Sequence, residues 1–151
     1  MSVNKTISVT SHMGQGFRIE GQLGSHTAVI DQPKAVGGNN EGPTPLEYFL
    51  FSLGGCVASI GRIMAKQQKI ALRGMSVIVE AGLNTAGLAG KSTDDRVGFQ
   101  NFTVNAEIDA DMTLQEKQAF LDAVCARCPV HDNIAKTSVV EHTAVEQTVI
   151  A

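Results

Sequence analysis

One stretch constrains this chain more than any other. From Pro45 onward Leu46, Phe49, Leu50, Leu53, Val57, Ile60 and Met64 recur at spacings of three and four, the period of an α-helix with one apolar face. Thr44 supplies an N-cap, and Pro45 sits at the first helical position, where its missing N–H costs nothing. The pattern predicts a helix running to about Gln68. Its middle, Phe49 to Ile60, carries no charged residue, so both faces should be covered by protein and the helix should be central. A chain of 151 residues makes one domain, and the sheet it can form is too small to cover such a helix all round. A second copy of the chain is expected to cover the remainder.

Charge and the N-terminal pattern exclude some classes of partner. Twelve Lys and Arg against fifteen Asp and Glu give a net charge of -3, with no cation excess to neutralise a phosphate backbone or an anionic bilayer. Nucleic acid is not an expected partner. The N-terminus has no apolar h-region, and the longest apolar stretch is broken by Ser52, Gly54 and Gly55, so no membrane segment is expected and a cytoplasmic location follows.

Around the helix the pattern changes. Residues 5–31 alternate in short runs such as Phe17-Arg18-Ile19-Glu20, punctuated by glycines, and predict a meander of about three antiparallel strands. Residues 32–44, rich in Gly, Asn and Pro, predict a mobile loop. Two long strands are predicted over 72–84 and 98–110, joined by a polar connection. Thr113 and Glu116 form a capping-box signature, opening a second helix expected to bury Leu114, Leu121, Val124, Cys125 and Cys128 and to end at Pro129. A turn over 130–136 and a last strand near 138–149 complete the expected order.

Three cysteines, an odd number, are poorly explained as a secretory disulfide framework. Cys56 follows Gly54 and Gly55, two residues that cost roughly 1 kcal/mol each in a helix interior. Close approach of another backbone, or of a substrate, would offset that cost; a small packed core residue is the plainer reading of Cys56. Cys125, Cys128 and His131 form C-x-x-C-x-x-H. This run reads as a redox pair, as zinc ligands completed by Cys56 or His142, or, for Cys125, as core packing. A fourth reading joins Cys56 to Cys128: one thiolate attacks a peroxide, becomes a sulfenic acid, and is rescued by the second thiol as a disulfide. At the end of a helix Cys128 would have its thiol pKa raised, which argues against it as the attacking group.

Gly42-Pro43-Thr44-Pro45-Leu46-Glu47 leading to Leu53-Gly54-Gly55-Cys56, and later Cys128-Pro129-Val130-His131, resemble the two signature segments of the OsmC/Ohr family of thiol-dependent peroxidases. The similarity extends over most of the chain, as one OsmC-like domain over 1–151. It implies an α+β fold, antiparallel sheets around a long central helix, and an intertwined homodimer with active sites between subunits. It further implies that Cys56 is the peroxidatic thiol, Cys128 the resolving thiol, organic hydroperoxides the substrates and a dithiol the reductant, with no metal or organic cofactor, in oxidative stress defence. The family's early Arg and its Glu near the start of the central helix correspond to the candidates Arg18 and Glu47, with Met13 a competitor for the Arg position. Leu46 stands where the family has its Glu, and Glu47 follows one residue nearer Cys56, a rotation of about 100° on a helix. That departure favours an alternative, a non-catalytic OsmC-like protein binding a small hydrophobic ligand in the dimer pocket.

Overall fold

The computed structural model describes residues 2–146. The elements run β1 (Val9–Met13), β2 (Ile19–Leu23), β3 (His26–Ile30), a 3-10 turn at Lys34–Val36, α1 (Pro45–Gln67), β4 (Gly74–Gly82), α2 (Thr85–Leu88), β5 (Asn101–Asp109), α3 (Leu114–Arg127) and α4 (Pro129–Ala135). β1, β2 and β3 form an antiparallel sheet in that order, with Met13 opposite Ile19 and Leu23 opposite His26. β4 and β5 form a second sheet. Backbone bonds from Arg73 to Asp109 and from Gln100 to Gly82 bracket it and fix an antiparallel register.

The contacts gather into two units. The first holds the residues up to Gly55 together with Val77–Asn105. There Tyr48 donates its hydroxyl to the Val29 carbonyl at 3.0 Å, and Phe49, Phe99 and Phe102 form an aromatic cluster. Offset and edge-on ring contacts of this kind add to the area they bury. The second unit holds Cys56–Ser76 and the residues from Ala106 onward. Its core is Val57, Met64, Ala65, Leu72, Ile108, Phe120, Val124 and Cys128, all buried. Met75 packs close over Gly61 there: a Cβ would stand 2.8 Å from its sulfur, and the flexible thioether would have to shift.

α1 begins and ends where its sequence predicts. By length and composition it would also pass for a membrane span, yet Leu53, Val57, Met64 and Ala65 are buried inside protein, as in a core helix. The other side is open in the single chain: Phe49 and Ile63 are exposed and Phe51 is 73% exposed. The two glycines before Cys56 are not explained by a tight approach. A Cβ on Gly54 would make ordinary contact with Val79 at 3.5 Å, and one on Gly55 would meet no atom within 4 Å.

Several expected elements differ. The β4–β5 connection contains α2, capped by the Asn84 side chain accepting from the Ala86 N–H. α3 opens with the expected capping box of Thr113 and Glu116, but it buries Phe120 and Val124, while Leu114 is 84% exposed and Leu121 and Cys125 are half-buried. Leu114 is the first helical residue, ahead of the turn that packs. Residues 130–136 form no turn: Pro129 opens α4, since a proline that stops one helix is also suited to the first position of the next. Residues 137–146 form no strand. A strand exists through its ladder, and this segment has no ladder partner among the described residues; 147–149 lie outside them.

Candidate active site

Cys56 lies in the middle of α1 and is half-buried. Cys128 lies between α3 and α4 and is fully buried. Both belong to the second unit, and the Cys56 thiol is near enough to Cys128 to act on its titration. Cys128 has extended geometry, φ -81° and ψ 114°, and serves both as the C-cap of α3 and as the N-cap of α4, its sulfur accepting the His131 N–H at 3.4 Å. Burial pushes the Cys128 thiol above the ordinary thiol range, and the neighbouring Cys56 thiol adds to that rise. The His131 N–H pulls the other way with less effect. The main cause of the rise is thus desolvation, where the sequence points to the end of α3.

Cys125 is one turn earlier on α3; its carbonyl accepts the Cys128 N–H at 3.2 Å. Burial raises its thiol pKa, and the Asp122 carboxylate raises it further. All three cysteines are thiols. Among the described residues no three His, Cys, Asp or Glu side chains converge in a group that could hold a metal ion, so C-x-x-C-x-x-H is not drawn together as a ligand set. The thiol pair meets instead.

Arg18 and Glu47 both lie in the first unit. Arg18 donates to Glu20 at 2.6 Å and faces Glu41 at 3.4 Å, contacts that raise its pKa through the Glu20 hydrogen bond first and lower that of Glu20 in return. Glu47 accepts from the Thr44 N–H at 2.7 Å and from its hydroxyl at 2.9 Å, while the Glu47 N–H donates to Thr44 Oγ1 at 3.3 Å. This is a capping box at the start of α1, and the Thr44 N–H holds the Glu47 carboxyl below its usual range. The pattern T-P-L-E announces that role. In the single chain Arg18 and Glu47 are thus engaged separately.

Sequence reasoning passed over Asp31. It is 1% exposed and accepts three backbone N–H groups, from Gln32 at 2.8 Å and from Asn39 and Glu41 at 3.1 Å each. The Glu41 N–H is the main cause of its lowered pKa. An acid closing a strand before a Gly- and Asn-rich loop is the signal that was available.

An α+β chain with a sheet of three strands, a second of two, a long apolar helix bearing one thiol and a buried second thiol between two helices defines a class of thiol protein. A family model described as OsmC-like protein matches residues 38–143, and the chain belongs to that family. The OsmC-like protein of Mycoplasma pneumoniae superposes with a TM-score of 0.76 at 21% identity, over 89% of this chain and 91% of that one. An organic hydroperoxide resistance protein from Elizabethkingia anophelis gives 0.69 at 20%, over 91% and 93%. The organic hydroperoxide resistance protein OhrB of Bacillus subtilis gives 0.58 at 19%, over 88% and 93%. At these identities the likeness is one of fold. No curated protein matches the sequence.

Proposed function

We propose that this chain is a thiol-dependent peroxidase that reduces organic hydroperoxides through a two-cysteine cycle. The observation that carries the reading is the nearness of the Cys56 and Cys128 thiols, close enough for Cys56 to raise the Cys128 pKa. Cys56, as thiolate, attacks the peroxide O–O bond; an alcohol or alkoxide leaves and Cys56 becomes a sulfenic acid. Cys128 then attacks the Cys56 sulfur, water leaves, and a disulfide closes. A dithiol reduces it and returns both thiols. The raised pKa of Cys128 suits the order, since the group that keeps its proton is not the first nucleophile. Names of the Elizabethkingia and Bacillus proteins, which speak of organic hydroperoxide resistance, support the substrate class. Arg18 would hold the Cys56 thiolate and Glu47 would orient the guanidinium. The working form is a cytoplasmic homodimer, supported by the open face of α1 and by the unpaired, valine-rich segment 137–146.

Thiol titration with mass spectrometry, before and after one equivalent of an organic hydroperoxide, tests this. Loss of two thiols with a Cys56–Cys128 disulfide supports it; retention of all three refutes it.

A second reading has its own observation. A hollow of about 280 Å³ lies in the first unit between the three-stranded sheet and α1, lined by Val9, Ile19, Leu23, Ile30, Tyr48 and Ser52 among others. With Arg18 and Glu47 engaged elsewhere, it favours a non-catalytic binder of a small hydrophobic molecule.

A further inference from the structure

Asp31 closes β3 and takes no part in the chemistry proposed above. A carboxylate this deeply buried is tolerated only with donors around it, and here they all come from one loop. Its Oδ1 accepts the Gln32 N–H, and its Oδ2 accepts those of Asn39 and Glu41. Its own N–H donates to the Pro43 carbonyl at 3.1 Å. The Asn40 N–H returns to the Gln32 carbonyl at 3.0 Å. Residues expected to form a mobile loop are therefore wound about a single carboxylate.

The winding leaves no room for side chains at two points. A Cβ on Gly38 would stand 2.0 Å from the Gln32 carbonyl oxygen, and one on Gly42 would stand 2.4 Å from that of Val29. Gly37 takes a φ of 98° against the Phe17 ring, and Asn40 a φ of 57°. The chemistry at the centre needs an acid. A carboxylate only accepts, so it can serve three N–H groups; an asparagine would turn its own NH₂ toward one of them.

Glu41 is gripped from both ends. Its N–H is on Asp31, and its carboxylate lies 3.4 Å from Arg18 Nε. The nearer carboxylate on Arg18, that of Glu20 at 2.6 Å, lies only two residues on, in β2. A long exposed side chain is held in one rotamer only when several contacts offset the freedom lost, and Glu41 can contribute only if its backbone is fixed. We propose that Asp31 is the positioning residue of Arg18: by binding the Glu41 amide it sets where the guanidinium is held. For its catalytic consequence the proposal rests on the reading that Arg18 serves the Cys56 thiolate.

The test uses the full chain, as Asp31→Asn, Gly38→Ala, Arg18→Ala and the double variant Arg18→Ala/Asp31→Asn. The exchange of the Arg18 Nε–H with water, followed by NMR, should quicken by about tenfold in Asp31→Asn and in Gly38→Ala, since both release Glu41. Unchanged exchange in both overturns the proposal whatever the protein's activity. Alkylation of Cys56 at neutral pH should fall in Asp31→Asn by the factor seen in Arg18→Ala, with no further loss in the double variant. A further loss would show Asp31 acting on the fold at large and overturn it as well. Should Arg18→Ala leave alkylation unchanged, the Arg18 part of the peroxidase reading fails, and the exchange measurement still decides the role of Asp31.

Discussion

The sulfur of Cys128 has the thiol of Cys56 beside it as one neighbour and, as a second contact, accepts the N–H of His131 at 3.4 Å. The second depends on Pro129, which opens α4 directly after Cys128 and sets the turn that brings the His131 amide back onto the sulfur. The run Cys-Pro-Val-His is thus a helix cap built on a thiol. The cap fixes the sulfur where the first contact can be made.

Replacement of Cys56 by Ser should abolish peroxide turnover. Cys128→Ser should still consume about one equivalent of organic hydroperoxide and then stall or over-oxidise, because the sulfenic acid has no thiol to close on. Cys125→Ser should turn over like the parent, because Cys128 and not Cys125 is the thiol that Cys56 acts on. Peroxide consumption and intact mass, followed together, check all three; a stalled Cys125→Ser variant would move the resolving role one turn down α3.

The thiols also set a pH dependence. The native protein holds the protons of Cys128 and Cys125 more tightly than an unfolded chain does. Their contribution is fully present below the ordinary thiol pKa of about 8.5 and is lost as pH rises through the folded values. Urea midpoints should therefore fall on the alkaline side, and less so in a Cys125→Ala/Cys128→Ala variant. In Cys56→Ala the neighbouring thiol that helps to raise the Cys128 pKa is gone, and Cys128 should alkylate at lower pH than in the parent.

How much of this was legible in the sequence follows from where the information lies. The helix from Pro45, the strands at Ile19–Leu23 and Gly74–Gly82, and the Thr113 capping box depend on local period and caps, and local rules recover them. The Cys56–Cys128 pairing joins residues far apart in sequence; thiol chemistry offers it as one of four readings, and only the resemblance singles it out. Asp31 was missed for the opposite reason. Its partners are near in sequence, but they are backbone N–H groups, which leave no side-chain signature. Pro129 was read as a stop, when it also starts α4. The strand expected over 138–149 was read from β-branched residues such as Val139 and Val140, and propensity alone does not provide the ladder that a strand needs.

Asp31 gives the fold an acid limit. Its pKa is lowered in the native state, chiefly by the Glu41 N–H, so its contribution is complete above the unfolded value of about 3.9 and is lost as pH falls through the folded one. Asp31→Asn should be less stable than the parent at neutral pH and should show a shallower loss on acidification. Denaturant midpoints between neutral and acid pH measure both. Part of the acid loss remains in the variant, because Glu20 and Glu47 are lowered as well.

The last prediction concerns assembly. In the single chain Phe51 and Val140 are 73% and 80% exposed, and β1 and β3 are both edge strands of their sheet. Open edges and exposed apolar side chains are liabilities that proteins tend to cover, and a second copy of the chain would cover both at once. Sedimentation should report a species of about twice the chain mass at micromolar concentration. Phe51→Glu places a charge on the open face of α1 without touching Leu53 or Val57, which are buried on the other side. It should shift the population to monomer and, if the active site is completed by the partner, slow peroxide reduction in step with the loss of dimer. A parent protein that sediments as a stable monomer, or a Phe51→Glu variant that remains dimeric, would show that this face is not the interface.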